Sequence, residues 1–263
     1  MTDAANRPYS RTLLFAGRTA REILRDPLSF VFCLALPVVM LVGMHLLFAD
    51  GAPVVFSLEV LTPGIAVFSN AFIMLFMTLL ASRDRSTAFL CRLYTSPMRT
   101  VDFVGGYALP GLVIGVAQLV ACYLAAILLG LITGATTWIN LSGILLAMAS
   151  ALPMLVAYVA VGILFGCLFS DKAAPGLSSV IISGGGFVSG AWMPLETLAP
   201  GFRAFCRALP FYPSVRAGRA LLNHAVTDSA DLTLSIAVPT AYAVLLSVAV
   251  LLVFRFKTRR EGE

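Results

Sequence analysis

Nucleotide binding, nucleophilic hydrolysis and metal binding each demand a recognisable set of residues, and this chain carries only fragments of them. A phosphate loop needs Gly-x-x-x-x-Gly-Lys-Ser/Thr, because its backbone amides cradle phosphates and its lysine reaches them. The chain has two lysines: Lys172 follows Asp171, and Lys257 sits between Phe256 and Thr258, so neither closes such a loop. The run SGGGFVSG, Ser183 to Gly190, has the glycines but no basic partner, and it lies within an apolar stretch. As nucleophiles, Ser183 or Ser189 would need a base. The only two histidines, His45 and His224, are not placed within a span to serve them. Five cysteines (33, 91, 122, 167 and 206) are scattered with no CxxC pair and no metal-ligand spacing. The expectation is a chain without catalytic residues, without a metal site and without a cofactor of its own.

What remains is binding chemistry. Arg83 to Met98, RDRSTAFLCRLYTSPM, is a charged, helix-competent island between two long apolar stretches. Asp84 or Ser86 can cap a helix that runs to Ser96, since a residue before proline disfavours the α conformation and Pro97 follows. On that helix Phe89, Leu90, Leu93 and Tyr94 form an apolar ridge able to insert into a groove. Arg83, Arg85 and Arg92 can pair with an acidic rim. A solvated basic loop is the plainer alternative.

The rest of the chain must hold this island at a surface. Of 263 residues, 59% are hydrophobic and 12% charged, against roughly 25% charged in a soluble domain. An integral membrane protein follows, with no sizeable soluble domain. Ser10 to Asp26 reads as an amphipathic helix lying in the membrane interface. Leu13, Ala16, Gly17, Ala20, Ile23 and Leu24 share one face and Arg11, Arg18, Arg21, Glu22 and Arg25 the other, with Leu14 and Phe15 at the borders. Pro27 ends it. Six spans are expected: Leu28 to Phe48, Leu61 to Ala81, Phe103 to Leu131, Ile139 to Phe169, Pro175 to Met193 and Leu232 to Phe254. The first run does not read as a cleaved signal peptide, because it follows a long polar segment and is long enough to span. Two short amphipathic helices fill the proline-punctuated segment from Pro194 to Asp231. One carries Phe202, Phe205, Cys206 and Leu209 on one side; Ser214 caps the other.

Orientation follows from the basic residues. Fourteen of the 18 Lys and Arg flank the spans on one side if there are six, so both termini and the island are expected in the cytoplasm. Arg203, Arg207, Arg216 and Arg219 fall on the other side, against the rule. The basic residues therefore read as membrane topology rather than nucleic-acid binding. Apart from His45, the spans contain no ionisable relay of the kind ion-driven carriers use. Asn70, Phe72, Phe76, Phe187 and Trp192, on the second and fifth spans, are the candidate lining of an apolar substrate path; ordinary core or lipid-facing packing is the alternative. Three GxxxG matches, Gly111/Gly115, Gly162/Gly166 and Gly186/Gly190, fit close helix packing.

Two stretches carry a resemblance. One is LCRLYTSPMRTVDFVGGYALPG, with Arg92, Leu93, Ser96, Pro97 and Met98 ahead of glycines. The other is FVSGAWMPLETLAPGFRAFCRALPFYPSVRAGRALL, with Ser189, Gly190 and Pro194 ahead of a Leu-Pro and an arginine-bearing helix. In this order they resemble the membrane subunits of type-2 exporters of the ATP-binding-cassette superfamily, which export drugs, polysaccharides and lipo-oligosaccharides. The resemblance covers the whole chain, residues 1–263, as one transmembrane domain of six helices, all α. Its parts are an interfacial helix at 10–26, a coupling segment at 83–98 and an extracellular helical segment at 194–231. It implies that Asp84, Arg85, Phe89, Leu90, Arg92, Leu93, Tyr94, Ser96 and Pro97 dock a separate ATPase subunit, which binds ATP and Mg. It further implies two such ATPases, a second permease copy or paralogue, and a bacterial cytoplasmic membrane. The substrate would be an amphipathic drug, as in antibiotic efflux, or a lipid-linked compound. A family member often carries Glu near the start of the coupling segment; here only Asp84 stands there, between Arg83 and Arg85. A polysaccharide or glycolipid permease and a non-transporting membrane scaffold are the alternatives.

Overall fold

The computed structural model describes residues 8–48, 54, 56–86, 100–192, 199–223 and 229–260. The described residues form nine helices and no strand. The coupling residues Phe89, Leu90, Arg92, Leu93, Tyr94, Ser96 and Pro97 lie outside them, as do Pro194 and His224.

The first helix, α1 (Pro8–Arg25), is followed at once by α2 (Pro27–Phe48). Its apolar residues do not share one face, as the sequence suggested. Phe15, Ala16, Thr19 and Ile23 are buried, whereas Leu13, Leu14, Gly17 and Leu24 are exposed. At about 100° per residue these two sets and the charged set (Arg11, Arg18, Arg21, Glu22, Arg25) stand roughly a third of a turn apart. The helix has three faces because it meets three surroundings: the bundle, the open apolar side and a polar side.

Next comes α3 (Leu58–Ser86), five residues past the expected end of the second span. It is the interior helix: 72% of its most apolar window is buried, against 17% for α9 (Ser229–Arg260) at the periphery. Between them run α4 (Thr100–Thr133) and α5 (Leu141–Leu168), a hairpin over the expected third and fourth spans. The hairpin turns at Gly134, with φ of 78°, and Asn140 caps α5 by accepting from the Ser142 amide at 3.2 Å. At about 1.5 Å per residue, the 34 residues of α4 span about 51 Å, longer than the ~30 Å hydrocarbon core.

Tight contact between α3 and α5 explains one glycine pair. A Cβ at Gly162 would stand 2.5 Å from the Met74 carbonyl oxygen, and one at Gly166 would stand 2.5 Å from Ala81 Cβ. Only hydrogen at these positions lets the backbones approach.

Four helices (α3, α4, α5 and α9) are long and apolar enough to cross a membrane, by length and composition among the described residues. The helix over the expected fifth span, α6 (Ala174–Val188), has 15 residues, about 22 Å, and is shorter than expected. Gly190, at φ of 66°, turns the chain just beyond it. Two short helices follow, α7 (Pro200–Ala208) and α8 (Phe211–Asn223), in keeping with the expected pair. Ser214 does not cap the second. That helix starts at Phe211, and Ser214 is fully buried inside it.

Candidate functional site

At the end of the bundle where α1 lies, the last turn of α3 meets the first turns of α4. Asp84 is 5% exposed there. Arg18 of α1 grips its carboxylate in two-pronged fashion, Nη2 to Oδ1 at 3.1 Å and Nη1 to Oδ2 at 3.2 Å. Such a fork matches a carboxylate with two parallel N–H donors. The same Nη2 donates to Glu22 Oε1 at 2.6 Å, and the Tyr107 hydroxyl of α4 donates to Asp84 Oδ2 at 2.7 Å. Burial by itself would lower the Arg18 pKa. The hydrogen bond from Arg18 to Asp84 and the nearby charges of Asp84 and Glu22 outweigh it and hold the guanidinium above its ordinary value. Phe15 closes the cluster from α1, edge-on to Tyr107 (centroids 5.0 Å) and to Phe103 (6.0 Å), with Arg18 over its ring. One turn away Thr12 donates to the buried Asp102 at 2.7 Å.

Two expectations for these residues change. Asp84 does not cap a new helix; it sits in the final turn of α3, which runs unbroken to Ser86, and its carboxylate is taken by other helices. Arg85, expected to face a partner's acidic rim, donates to the Cys167 carbonyl at 2.8 Å and the Phe169 carbonyl at 3.3 Å. A cation at the end of α5 satisfies carbonyls that no further turn can reach and sits favourably against the helix dipole. Helices α1, α4 and α5 are thus all fastened to the last turn of α3.

Beside this cluster opens a cleft of about 630 Å³ between α1, α3 and the turn after α5. Its wall is Phe76, Leu79 and Leu80; Glu22, Arg25, Asp26, Arg83 and Asp171 stand around it.

The candidate path residues do not form one lining. Phe72 and Trp192 are joined through Phe68, which stands edge-on to both (centroids 5.6 and 5.1 Å), against Gly186 of α6. Asn70 on α3 is fully buried, and neither of its amide atoms has a hydrogen-bond partner among the described residues. Phe76 belongs to the cleft at the α1 end. Phe187 points away from the bundle, 70% exposed. Sequence reasoning passed over Phe68, though its spacing of four from Phe72 was a usable signal. It also passed over Gln118 of α4, another buried amide without a partner among the described residues.

At the other end the basic residues that opposed the orientation count are put to structural use. Arg219 donates to the Val60 carbonyl at 2.8 Å and the Ala191 carbonyl at 3.3 Å, tying α8 to the start of α3 and the end of α6. Arg216 pairs with Asp231 at 2.7 Å. His45 Nδ1 lies 2.9 Å from the Phe56 carbonyl, bridging the two ends of the α2–α3 connection as a structural donor. Ser189 donates to the Gly186 carbonyl and accepts from the Ala191 amide, which makes it a cap and not a nucleophile.

Comparison with curated proteins finds no match. A family model does match, that of the ABC-2 type transporter, across residues 11–223. This span starts in α1, takes in the Arg18–Asp84–Tyr107 cluster and ends at the last residue of α8. With most of the chain covered, an all-helical fold and several helices fit to cross a bilayer, this is a multi-pass membrane component of a transporter, and the chain belongs to the ABC-2 type transporter family.

Proposed function

We propose that this chain is the permease subunit of an exporter driven by a separate ATP-binding-cassette ATPase. In this reading six helices cross the membrane, both termini and the segment after Ser86 face the cytoplasm of a bacterial inner membrane, and two permeases act as a dimer. Residues 1–263 act as a single transmembrane unit. ATP and Mg are held by two partner ATPases. The observation that carries the reading is the fastening of the last α3 turn. Asp84 joins it to α1 and α4, and Arg85 joins it to the end of α5. Any displacement of the docking segment, 83–98, reaches three other helices through the short contacts that Asp84 and Arg85 make at its start. The charged side chains thus transmit the stroke, while the apolar ridge of Phe89, Leu90, Leu93 and Tyr94 receives it.

The substrate in this reading is amphipathic, a drug-like or lipid-linked compound. It moves along the α3–α6 side, past the aromatic group of Phe72 and Trp192, with Asn70 as the polar contact on the same helix. Leu93→Asp tests the docking role. The variant inserts into the membrane normally but no longer copurifies the ATPase, because a buried charge opposes the apolar contact. Normal copurification would refute the docking role. Stimulation of ATPase activity by candidate compounds in the purified complex then identifies the substrate class.

A further inference from the structure

The two short helices, α7 and α8, do not lie flat across the end of the bundle away from Asp84. Phe211, the first residue of α8, packs against Tyr158 of α5 with ring centroids 6.0 Å apart, and its ring lies against Gly185 of α6. Tyr158 is about 25 Å along α5 from Leu141. The Tyr242 hydroxyl donates at 3.4 Å to the carbonyl of Ala208, the last residue of α7. Tyr242 is about 20 Å along α9 from Ser229. From there α8 climbs back, and its Leu221 and Leu222 carbonyls lie against Gly143 in the first turn of α5. The turn at Leu209 and Pro210 therefore stands near mid-height of two helices long enough to cross a hydrocarbon core of ~30 Å.

At that depth α7 buries Cys206 alone. At about 100° per residue, Phe202 and Phe205 stand on one flank of Cys206 and Arg203 and Arg207 on the other. Phe202, Phe205 and Arg207 are exposed. Phenylalanine suits hydrocarbon, but a guanidinium so deep in a bilayer is costly unless water or a counter-charge meets it. Three of the four arginines in this region are held: Arg216 by Asp231, Arg219 by two carbonyls, and Arg203 by contacts of its own. Arg207 makes no hydrogen bond or ion pair among the described residues. We propose that Arg207 binds the anionic group, phosphate or carboxylate, of an amphipathic compound whose apolar part stays in the membrane. A guanidinium offers two parallel donors to either group. This deepens the export reading, on which it rests for the occupant, by giving the exported compound a negative head.

The full chain, purified in a nonionic detergent, is labelled with a photoreactive alkyl phosphate, and the labelled peptides are read by mass spectrometry. The label falls on α7 and drops about tenfold in Arg207→Gln, the loss of one hydrogen bond between charged groups. Arg207→Lys keeps part of it, because the charge remains and the fork does not. Dodecyl phosphate competes with the label, and dodecyltrimethylammonium, the same chain with a positive head, does not. Phosphatidylglycerol competing as well as dodecyl phosphate supports the site with a bilayer lipid as occupant; dodecyl phosphate competing alone supports it with a single-chain compound. Labelling of α7 that Arg207→Gln leaves unchanged overturns the proposal. So does equal competition by the cation on the unaltered chain, a measurement that needs no variant. The labelling requires no ATPase, so its failure leaves the docking role standing, and failure of docking leaves the label in place.

Discussion

Asp84 shows how much one residue's environment decides. Its 5% exposure puts a carboxylate where desolvation opposes its charge, and two prongs of Arg18 plus the Tyr107 hydroxyl compensate. Removing one member of a buried pair leaves the other uncompensated. Asp84→Ala therefore lowers stability by about 3 kcal/mol, read as a drop in the unfolding midpoint in detergent. Tyr107→Phe removes one hydrogen bond to a charged group and costs about 2 kcal/mol. Arg18 is partly exposed, 32% for its side chain, so water replaces some of what Arg18→Met loses. A double-mutant cycle with Asp84→Asn shows a coupling of about 1–2 kcal/mol. Coupling near zero would mean that the fork carries no energy. Arg219 plays a comparable part at the other end, where it donates to a carbonyl of α3 and to one in the turn after α6. Arg219→Ala frees the turn that holds Trp192, so the emission of Trp192 shifts to the red in a Trp138→Phe background. An unchanged spectrum would show that the turn is held by other contacts.

Among the elements, glycine separates packing from permissiveness. A Cβ at Gly17 of α1 meets nothing within 4 Å, whereas at Gly166 it meets Ala81 Cβ at 2.5 Å and the Thr78 carbonyl at 2.8 Å. Gly17→Ala therefore stabilises, by up to about 1 kcal/mol, through helix propensity alone. Gly166→Ala destabilises by about 1–3 kcal/mol because two backbones must part. Thermal unfolding of the two variants side by side checks the sign, and a stabilised Gly166→Ala would contradict the close α3–α5 packing. The three faces of α1 follow from the same logic. A single amphipathic helix at an interface needs two faces; one that also buries Phe15 and Ile23 against α4 and its neighbours needs a third.

At the scale of the molecule, the helices differ by position in the bundle more than by composition. The sixth expected span, α9, matches α3 in hydropathy, 2.4 against 2.0, yet only 17% of its window is buried against 72%. Interior and lipid-facing helices are equally apolar because lipid and protein core are both apolar surroundings. Hydropathy therefore locates helices without ranking them. That α3 is central leaves its last turn joined to three other helices, α1, α4 and α5.

The sequence by itself determined the helical class, the apolar runs, the two short helices and the family. These follow from local properties: runs of apolar side chains and the positions of proline and glycine. It also singled out Asp84 and Arg85, but not the contacts that hold them within the bundle. Only the tertiary structure decided those, because Arg18 and Asp84 are 66 positions apart and Arg85 and Cys167 are 82 apart. No periodicity spans such distances. Charges at the ends of apolar helices read as topology signals until packing brings the ends together, and then low dielectric makes their pairing obligatory. The α1 cleft has the same origin: it exists because two helices that are distant in sequence converge at one end of the bundle.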